Sequence, residues 1–156
     1  MITNKQEIIY LDANFLIRWA VPKTSDIRRR FRFLLATLIN QKNLTSSCLA
    51  IDEAWYSIKK EYNTIKGAKL SCSDDPIFGL LYKFTNEILQ QVKLLQFVDP
   101  KKGTKMALSN IGNFKLGPRD AFHLSLMQDN SIKEILTDDG DFIRIKSMAQ
   151  ISVVQL

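Results

Sequence analysis

The chain of 156 residues has a single histidine and two cysteines, and that scarcity removes whole classes of chemistry. Zinc hydrolysis needs several His or Cys ligands at set spacings, which Cys48, Cys72 and His123 do not offer. Cys48 sits in an apolar context and reads as a small buried side chain. One disulfide is possible but nothing supports it, so a reducing compartment is the expectation. The six glycines are scattered, without the GxxxxGK or GxGxxG spacing of phosphate-cradling loops. No GxSxG elbow is present to support Ser–His catalysis. No apolar run approaches the ~20 residues of a membrane-spanning helix. The opening MITNKQE has no charged flank leading into an apolar segment, so no signal peptide is expected. These absences point to a soluble, cytoplasmic protein without a membrane partner. Internal repeats and low-complexity tracts are also missing, and the length suits one well-packed domain over residues 1–156.

What is present is a globular composition, 46% hydrophobic and 24% charged. Lys and Arg number 22 against 16 Asp and Glu, a formal charge of +6 that permits a polyanionic partner, nucleic acid or an acidic protein surface. Arg28, Arg29, Arg30 and Arg32 fall within five positions, and Lys101, Lys102 and Lys105 form a second basic group. Such runs are commonly solvated faces. Guanidinium forks also match phosphate geometry, so both groups are candidates for contacts to a nucleic-acid backbone.

Apolar spacing gives an alternation of strands and helices. Ile8–Leu11 is a first strand, and Ala13–Ala20 is a short helix stopped before Pro22. A second helix starts at Ser25 or Asp26 and reaches about Asn40. Asn43–Cys48 is a weak strand, followed by a helix from Ala50 with Ile51, Ala54, Trp55, Ile58 and Tyr62 on one stripe. Asn63–Asp75 reads as a variable, irregular connection. Ile77–Val92 is helical with Leu80, Leu81, Phe84, Ile88 and Leu89 inward, and Leu94–Val98 is a strand. Asp99–Gly103 turns into a helix over Met106–Phe114, and another helix spans Asp120–Met127. Ile132–Leu136 is a strand, Phe142–Ile145 a short turn, and Ile151–Leu156 a last edge strand. This order predicts an α/β fold, a three-layer α/β/α sandwich on a mainly parallel sheet with Rossmann-like topology.

In such a sheet functional groups gather at the carboxyl ends of strands. Asp12 ends the first strand, and the acidic turn TDDGD follows the strand Ile132–Leu136. Asp120 opens the helix just before that strand, and Glu53 lies early in another. Clustered carboxylates repel, and a fold rarely assembles several without a counterion. Oxygen-only ligands suit Mg2+ or Mn2+, which can activate water and neutralise a reacting phosphodiester. Two plainer readings stay open: Asp12 as a helix cap, and Asp138–Asp141 as an ordinary acidic turn. His123, one helical turn beyond Asp120, reads as a satisfied core or surface histidine that could also approach the acids.

The acids in this order resemble the PIN domain family, and within it the small VapC-like ribonuclease toxins of type II toxin–antitoxin systems. The likeness is carried by YLDANFLIRWA, SSCLAIDEAW, PRDAFHLSLM and ILTDDGDFIRI, and runs from Ile9 to about Val154. It implies that Asp12, Glu53, Asp120 and Asp139 bind Mg2+ or Mn2+, with Asp141 as the accessory acid before Phe142. Position 138 carries Asp where the family often has Asn, Ser or another small polar residue, and spacing to Phe142 favours Asp139 as the acid facing the metal. The resemblance further implies endonucleolytic cleavage of RNA, a small antitoxin partner and a homodimer. Asn14 and Thr137 are expected to support Asp12 by hydrogen bonds. Arg119, beside Asp120, either touches phosphate or is turned outward by the helix.

Three other readings of the same residues are kept. One is a PIN nuclease without an antitoxin, and a second is a PIN-like module that binds RNA or protein without cutting. The third is a phosphatase of the haloacid dehalogenase type with Asp12 as nucleophile; it wants a second Asp where Asn14 stands and a positioned lysine that is not evident.

Overall fold

Strand β1, Glu7–Leu11, lies at the centre of a five-stranded sheet and decides the layering of everything else. The computed structural model describes residues 7–21 and 25–155, the side chains of residues 25, 27 and 28 excepted. β1 pairs in parallel with β2, Lys42–Ser47, on one side and with β4, Glu134–Leu136, on the other. β3, Lys93–Leu95, extends the sheet beyond β2, and β5, Ser152–Val154, forms the edge beyond β4, also in parallel. The order is β3-β2-β1-β4-β5.

Side chains alternate across a strand, and β1 sends its neighbours to opposite faces. Ile9 and Leu11 join a core formed with α1 (Ala13–Ala20), α2 (Ser25–Gln41), α3 (Cys48–Lys66) and α4 (Asp75–Gln91). Tyr10 joins a second core with α5 (Pro100–Phe114), α6 (Pro118–Asp129) and α7 (Gly140–Ile145). Burying each of these fully enclosed aliphatic side chains stabilises the fold by about 1.5–3 kcal/mol. The result is the α/β/α sandwich with a parallel sheet that the apolar pattern predicts. No helix among the described residues is long and apolar enough to cross a membrane.

Several boundaries move, each for a local reason. Helix α5 starts at Pro100, six residues before the predicted Met106, because Asp99 accepts the amides of Lys101 and Lys102 and proline suits a first helical turn. β3 ends at Leu95 instead of Val98, whose amide turns to Asp129 and whose side chain is exposed. Helix α3 continues to Lys66, past the predicted break at Asn63, and stops where Gly67 adopts φ 60. Asn63 then ties the shorter connection from inside the helix by bonding both the amide and the carbonyl of Leu70. The predicted turn at Phe142–Ile145 is helix α7, opened by Asp139.

Three burial expectations also fail. Cys48 is exposed, because it is the first residue of α3 after the Ser47 cap and points away from the stripe that Ala50, Ile51, Ala54 and Ile58 bury. Trp55 and Leu89 are exposed at the margins of their stripes, and Trp55 spends its indole N–H on Thr85.

Candidate active site

The strand order reverses between β1 and β4, since the chain first runs outward through β2 and β3 and then returns. A crevice opens at the carboxyl edge of such a switch point, and Asp12 and Thr137 follow the two strands directly into it. Asp12 is buried and serves two purposes. Its Oδ1 accepts the Ala13 amide at 2.7 Å, capping α1, and its Oδ2 accepts the Thr137 hydroxyl at 2.6 Å. Thr137 Oγ1 in turn accepts the Asp139 amide at 2.9 Å, and Asp139 Oδ1 accepts the Asp141 amide at 2.7 Å as the N-cap of α7. One continuous set of bonds thus carries the end of β1 to the start of α7.

Asp120 enters the same crevice from the first turn of α6. Partial burial, followed by the carboxylates of Asp139 and Asp12 and then Asp141, pushes its carboxyl up to about 6. No hydrogen bond or ion pair to Asp120 occurs among the described residues. Burial also holds Asp12 above its ordinary range; the Thr137 hydroxyl and the Ala13 amide oppose that, and Glu53 adds repulsion. Glu53 comes from α3 and is engaged sideways: its Oε1 lies 3.3 Å from His123 Nε2 and 3.7 Å from Arg119 Nε. His123 is buried, with Nδ1 at 2.6 Å from the Tyr10 hydroxyl, which lies 2.7 Å from Ser47 Oγ. Burial drives the Tyr10 phenol far upward, so it keeps its proton.

The outer acids have cations of their own. Asp138 pairs with Arg18 of α1, and Asp141 pairs with Arg144 at 3.1 Å. Arg144 also donates to the carbonyls of Phe114 and Lys115, pinning the end of α5 beside the site.

A family model described as "PIN domain" matches residues 9–147, most of the chain. The chain belongs to the PIN domain family. No curated protein matches the sequence. Solved structures similar to this PIN domain include Mycobacterium tuberculosis VapC20, described as a Sarcin-Ricin loop cleaving toxin. It aligns with TM-score 0.65 and 16% identity over 95% of this chain and 99% of that one. Rickettsia felis VapBC2, crystallised with a DNA fragment from its promoter, aligns with TM-score 0.64 and 12% identity over 95% and 98%. FitAcB from Neisseria gonorrhoeae aligns with TM-score 0.51 and 15% identity over 93% and 95%. At these identities the likeness is one of fold.

Within this PIN fold, Asp12, Asp139 and Asp141 lie close enough for each to act on Asp120, and Glu53 acts on Asp12. Among the described residues no three of these side chains already converge tightly enough to hold an ion. Glu53 is drawn to His123 and Arg119, and Asp141 to Arg144. The donor chemistry nevertheless suits a hard divalent cation, because every ligand is oxygen and each carboxylate retains lone pairs beyond the bonds described. The raised Asp120 carboxyl reflects burial first and then repulsion by Asp139, Asp12 and Asp141.

Asn14 forms no hydrogen bond to Asp12 among the described residues; Thr137 alone supplies the side-chain support assigned to the two. Arg119 contacts Glu53 and is largely exposed. Arg32 shares a cleft with Arg18, the partner of Asp138, so this part of the basic run borders the acidic edge. Arg29 pairs with Asp26 within α2, Arg30 is exposed, and the side chain of Arg28 lies outside the described residues. Lys101, Lys102 and Lys105 are exposed on the first turns of α5. Sequence reasoning overlooked Tyr10, Ser47, Arg18 and Arg144. Tyr10 left a signal, since it stands two places before Asp12 and strand alternation puts both on one face.

Proposed function

We propose that this PIN domain is a Mg2+- or Mn2+-dependent endoribonuclease and the toxin of a toxin–antitoxin pair, with RNA as substrate and a small antitoxin and a second copy of the chain as partners. The observation that carries the nuclease reading is the gathering of Asp12, Asp120 and Asp139 at one crevice, from the end of β1 and the starts of α6 and α7, with no hydrogen bond or ion pair to Asp120 among the described residues. The carboxyl of Asp120 is pushed up to about 6 there, by burial and then by its neighbours. Carboxylates gathered this closely repel one another, and a cation relieves that repulsion.

Asp12, Glu53, Asp120 and Asp139 would hold the ion, with Asp141 adjoining. A bound Mg2+ or Mn2+ supplies Lewis acidity toward a phosphodiester and the attacking water. The chain's own residues set the geometry. Thr137 and the Ala13 amide fix both oxygens of Asp12, and the α7 cap fixes Asp139. Arg119, mostly exposed, can exchange Glu53 for a phosphate oxygen. Arg32, which shares a cleft with Arg18, would contact the RNA backbone, which positions the strand without reading its bases. Lys101, Lys102 and Lys105 lie on the first turns of α5, away from the end that Arg144 holds beside the site, and would meet only a longer strand. The toxin reading rests on the structural likeness to VapC20, VapBC2 and FitAcB over nearly their whole length.

Incubating defined RNAs with the purified protein and with Asp12→Asn, with and without Mg2+, tests the nuclease. Cleavage by the wild type alone, and only with the ion, is the expected result; equal cleavage by both proteins would sink the assignment. Growth arrest on expression, relieved by the product of an adjacent short reading frame, tests the toxin.

A further inference from the structure

Four side chains from four separate elements form one line of hydrogen bonds behind the acid cluster: Ser47 at the end of β2, Tyr10 of β1, His123 of α6 and Glu53 of α3. The direction of that line can be deduced from proton counting. Ser47 is buried, and its Oγ already accepts the Ala50 amide as the α3 cap. Its own hydrogen has one acceptor among the described residues, the Tyr10 oxygen at 2.7 Å. Tyr10 therefore receives the Ser47 hydrogen and directs its single hydrogen the other way, to His123 Nδ1 at 2.6 Å. An Nδ1 that accepts carries no hydrogen, so the ring hydrogen sits on Nε2, facing Glu53 Oε1 at 3.3 Å.

We propose that Ser47 and Tyr10 lock His123 in the Nε2–H form, making it a positioning residue that holds Glu53 Oε1 and thereby sets how strongly Glu53 serves the acid cluster. The inference rests on the reading of Glu53 as a metal-binding acid. Glu53 has few other restraints: it sits on a long flexible side chain, and its second contact, Arg119, is mostly exposed. The buried imidazole is its rigid anchor, in the same way that outer hydrogen bonds orient carboxylates and imidazoles at metal sites. The Tyr10 and His123 rings also lie in contact, with centroids 5.7 Å apart, which fixes the imidazole plane.

The chain has one histidine, so a nitrogen-15 correlation spectrum of the imidazole reports His123 without ambiguity. The wild type is expected to show the Nε2–H tautomer with a hydrogen-bonded Nδ1, and Tyr10→Phe, which keeps the ring and the packing, to lose that preference. A wild-type Nδ1–H tautomer would overturn the proposal.

Manganese affinity, measured by electron paramagnetic resonance, supplies a second readout that needs no RNA. Tyr10→Phe is expected to weaken Mn2+ binding about tenfold and to have no further effect in a Glu53→Gln background. If Glu53→Gln weakens binding but Tyr10→Phe does not, the relay fails while the site stands. If Glu53→Gln binds like the wild type, the metal reading of Glu53 fails and the relay with it. Should Tyr10→Phe unfold, His123→Gln and His123→Leu take its place. Gln, with an amide donor in place of Nε2, is expected to bind Mn2+ within about threefold of wild type and Leu to lose about tenfold; equal affinities overturn the proposal.

Discussion

The hydroxyl of Thr137 donates a 2.6 Å hydrogen bond to Oδ2 of Asp12, joining the ends of β4 and β1 across 125 positions of sequence. The Thr137 hydroxyl oxygen itself accepts the Asp139 amide, so Thr137 is the joint between two acids of the cluster. Thr137→Val keeps the shape and removes both roles. A hydrogen bond to a buried charge contributes about 1.5–3 kcal/mol, so a loss of that size is expected in denaturant unfolding. Thr137→Ser, which keeps the hydroxyl, is expected to stay close to wild type.

Asp120 gives the cluster a pH signature. Its folded carboxyl titrates at about 6, above the ordinary 3.8, so the native state binds more protons than the unfolded chain between those values. Stability contributed by this group therefore falls as pH rises from about 4 to about 6 and is fully lost above. In metal-free buffer the thermal midpoint of the wild type should drop across that window more steeply than that of Asp120→Asn. Saturating Mn2+ at pH 7.5 should raise the wild-type midpoint, because a cation bound only to the native state stabilises it.

Asp138 and Asp139 are adjacent but occupied differently. Asp138 pairs with Arg18, while Asp139 acts on Asp120 and caps α7. Asn is as good a cap as Asp, so Asp139→Asn should fold normally yet cleave RNA slower by on the order of a hundredfold, equivalent to ~2.7 kcal/mol of transition-state stabilisation. Asp138→Asn should cleave within a few-fold of wild type.

Two glycines of α5 should respond to alanine with opposite signs. A Cβ at Gly103 would lie 2.3 Å from the Phe97 ring, whereas one at Gly112 meets nothing within 4 Å. Alanine at Gly112 should stabilise by about 0.5–1 kcal/mol through helix propensity. At Gly103 the overpacking cost of about 1–3 kcal/mol outweighs that gain, so the chemical-denaturation midpoint should fall.

The layering and the acids were legible in the sequence for specific reasons. Ile9 and Leu11 against Tyr10 mark a strand buried on two faces, and Asp12 stands directly after it. Helix starts were harder where the cap does two jobs. Asp99 looks like a turn residue, yet it opens α5 by accepting two amides. Cys48 looks buried by its neighbours and is exposed, because the local pattern does not reveal that Ser47 has just turned the chain into a helix. The cationic partners of the outer acids were invisible for a different reason, and for His123 only a possible approach to the acids was legible, not its pairing with Glu53. Arg18 with Asp138 and Arg144 with Asp141 meet through side-chain reach, either across elements far apart in sequence or along a short helix predicted as a turn. Periodicity names the face a residue occupies, but not the residue that faces it.

If Asp12 and its neighbouring acids form one cation-dependent site for RNA cleavage, the cleavage rate of a defined RNA by wild type and by Asp12→Asn, followed through chelation with EDTA and restoration of Mg2+, shows it most directly. Wild-type cleavage should stop on chelation and resume with Mg2+, and the variant should be slower by on the order of a hundredfold. Equal rates for the two proteins, or cleavage indifferent to chelation, would contradict it.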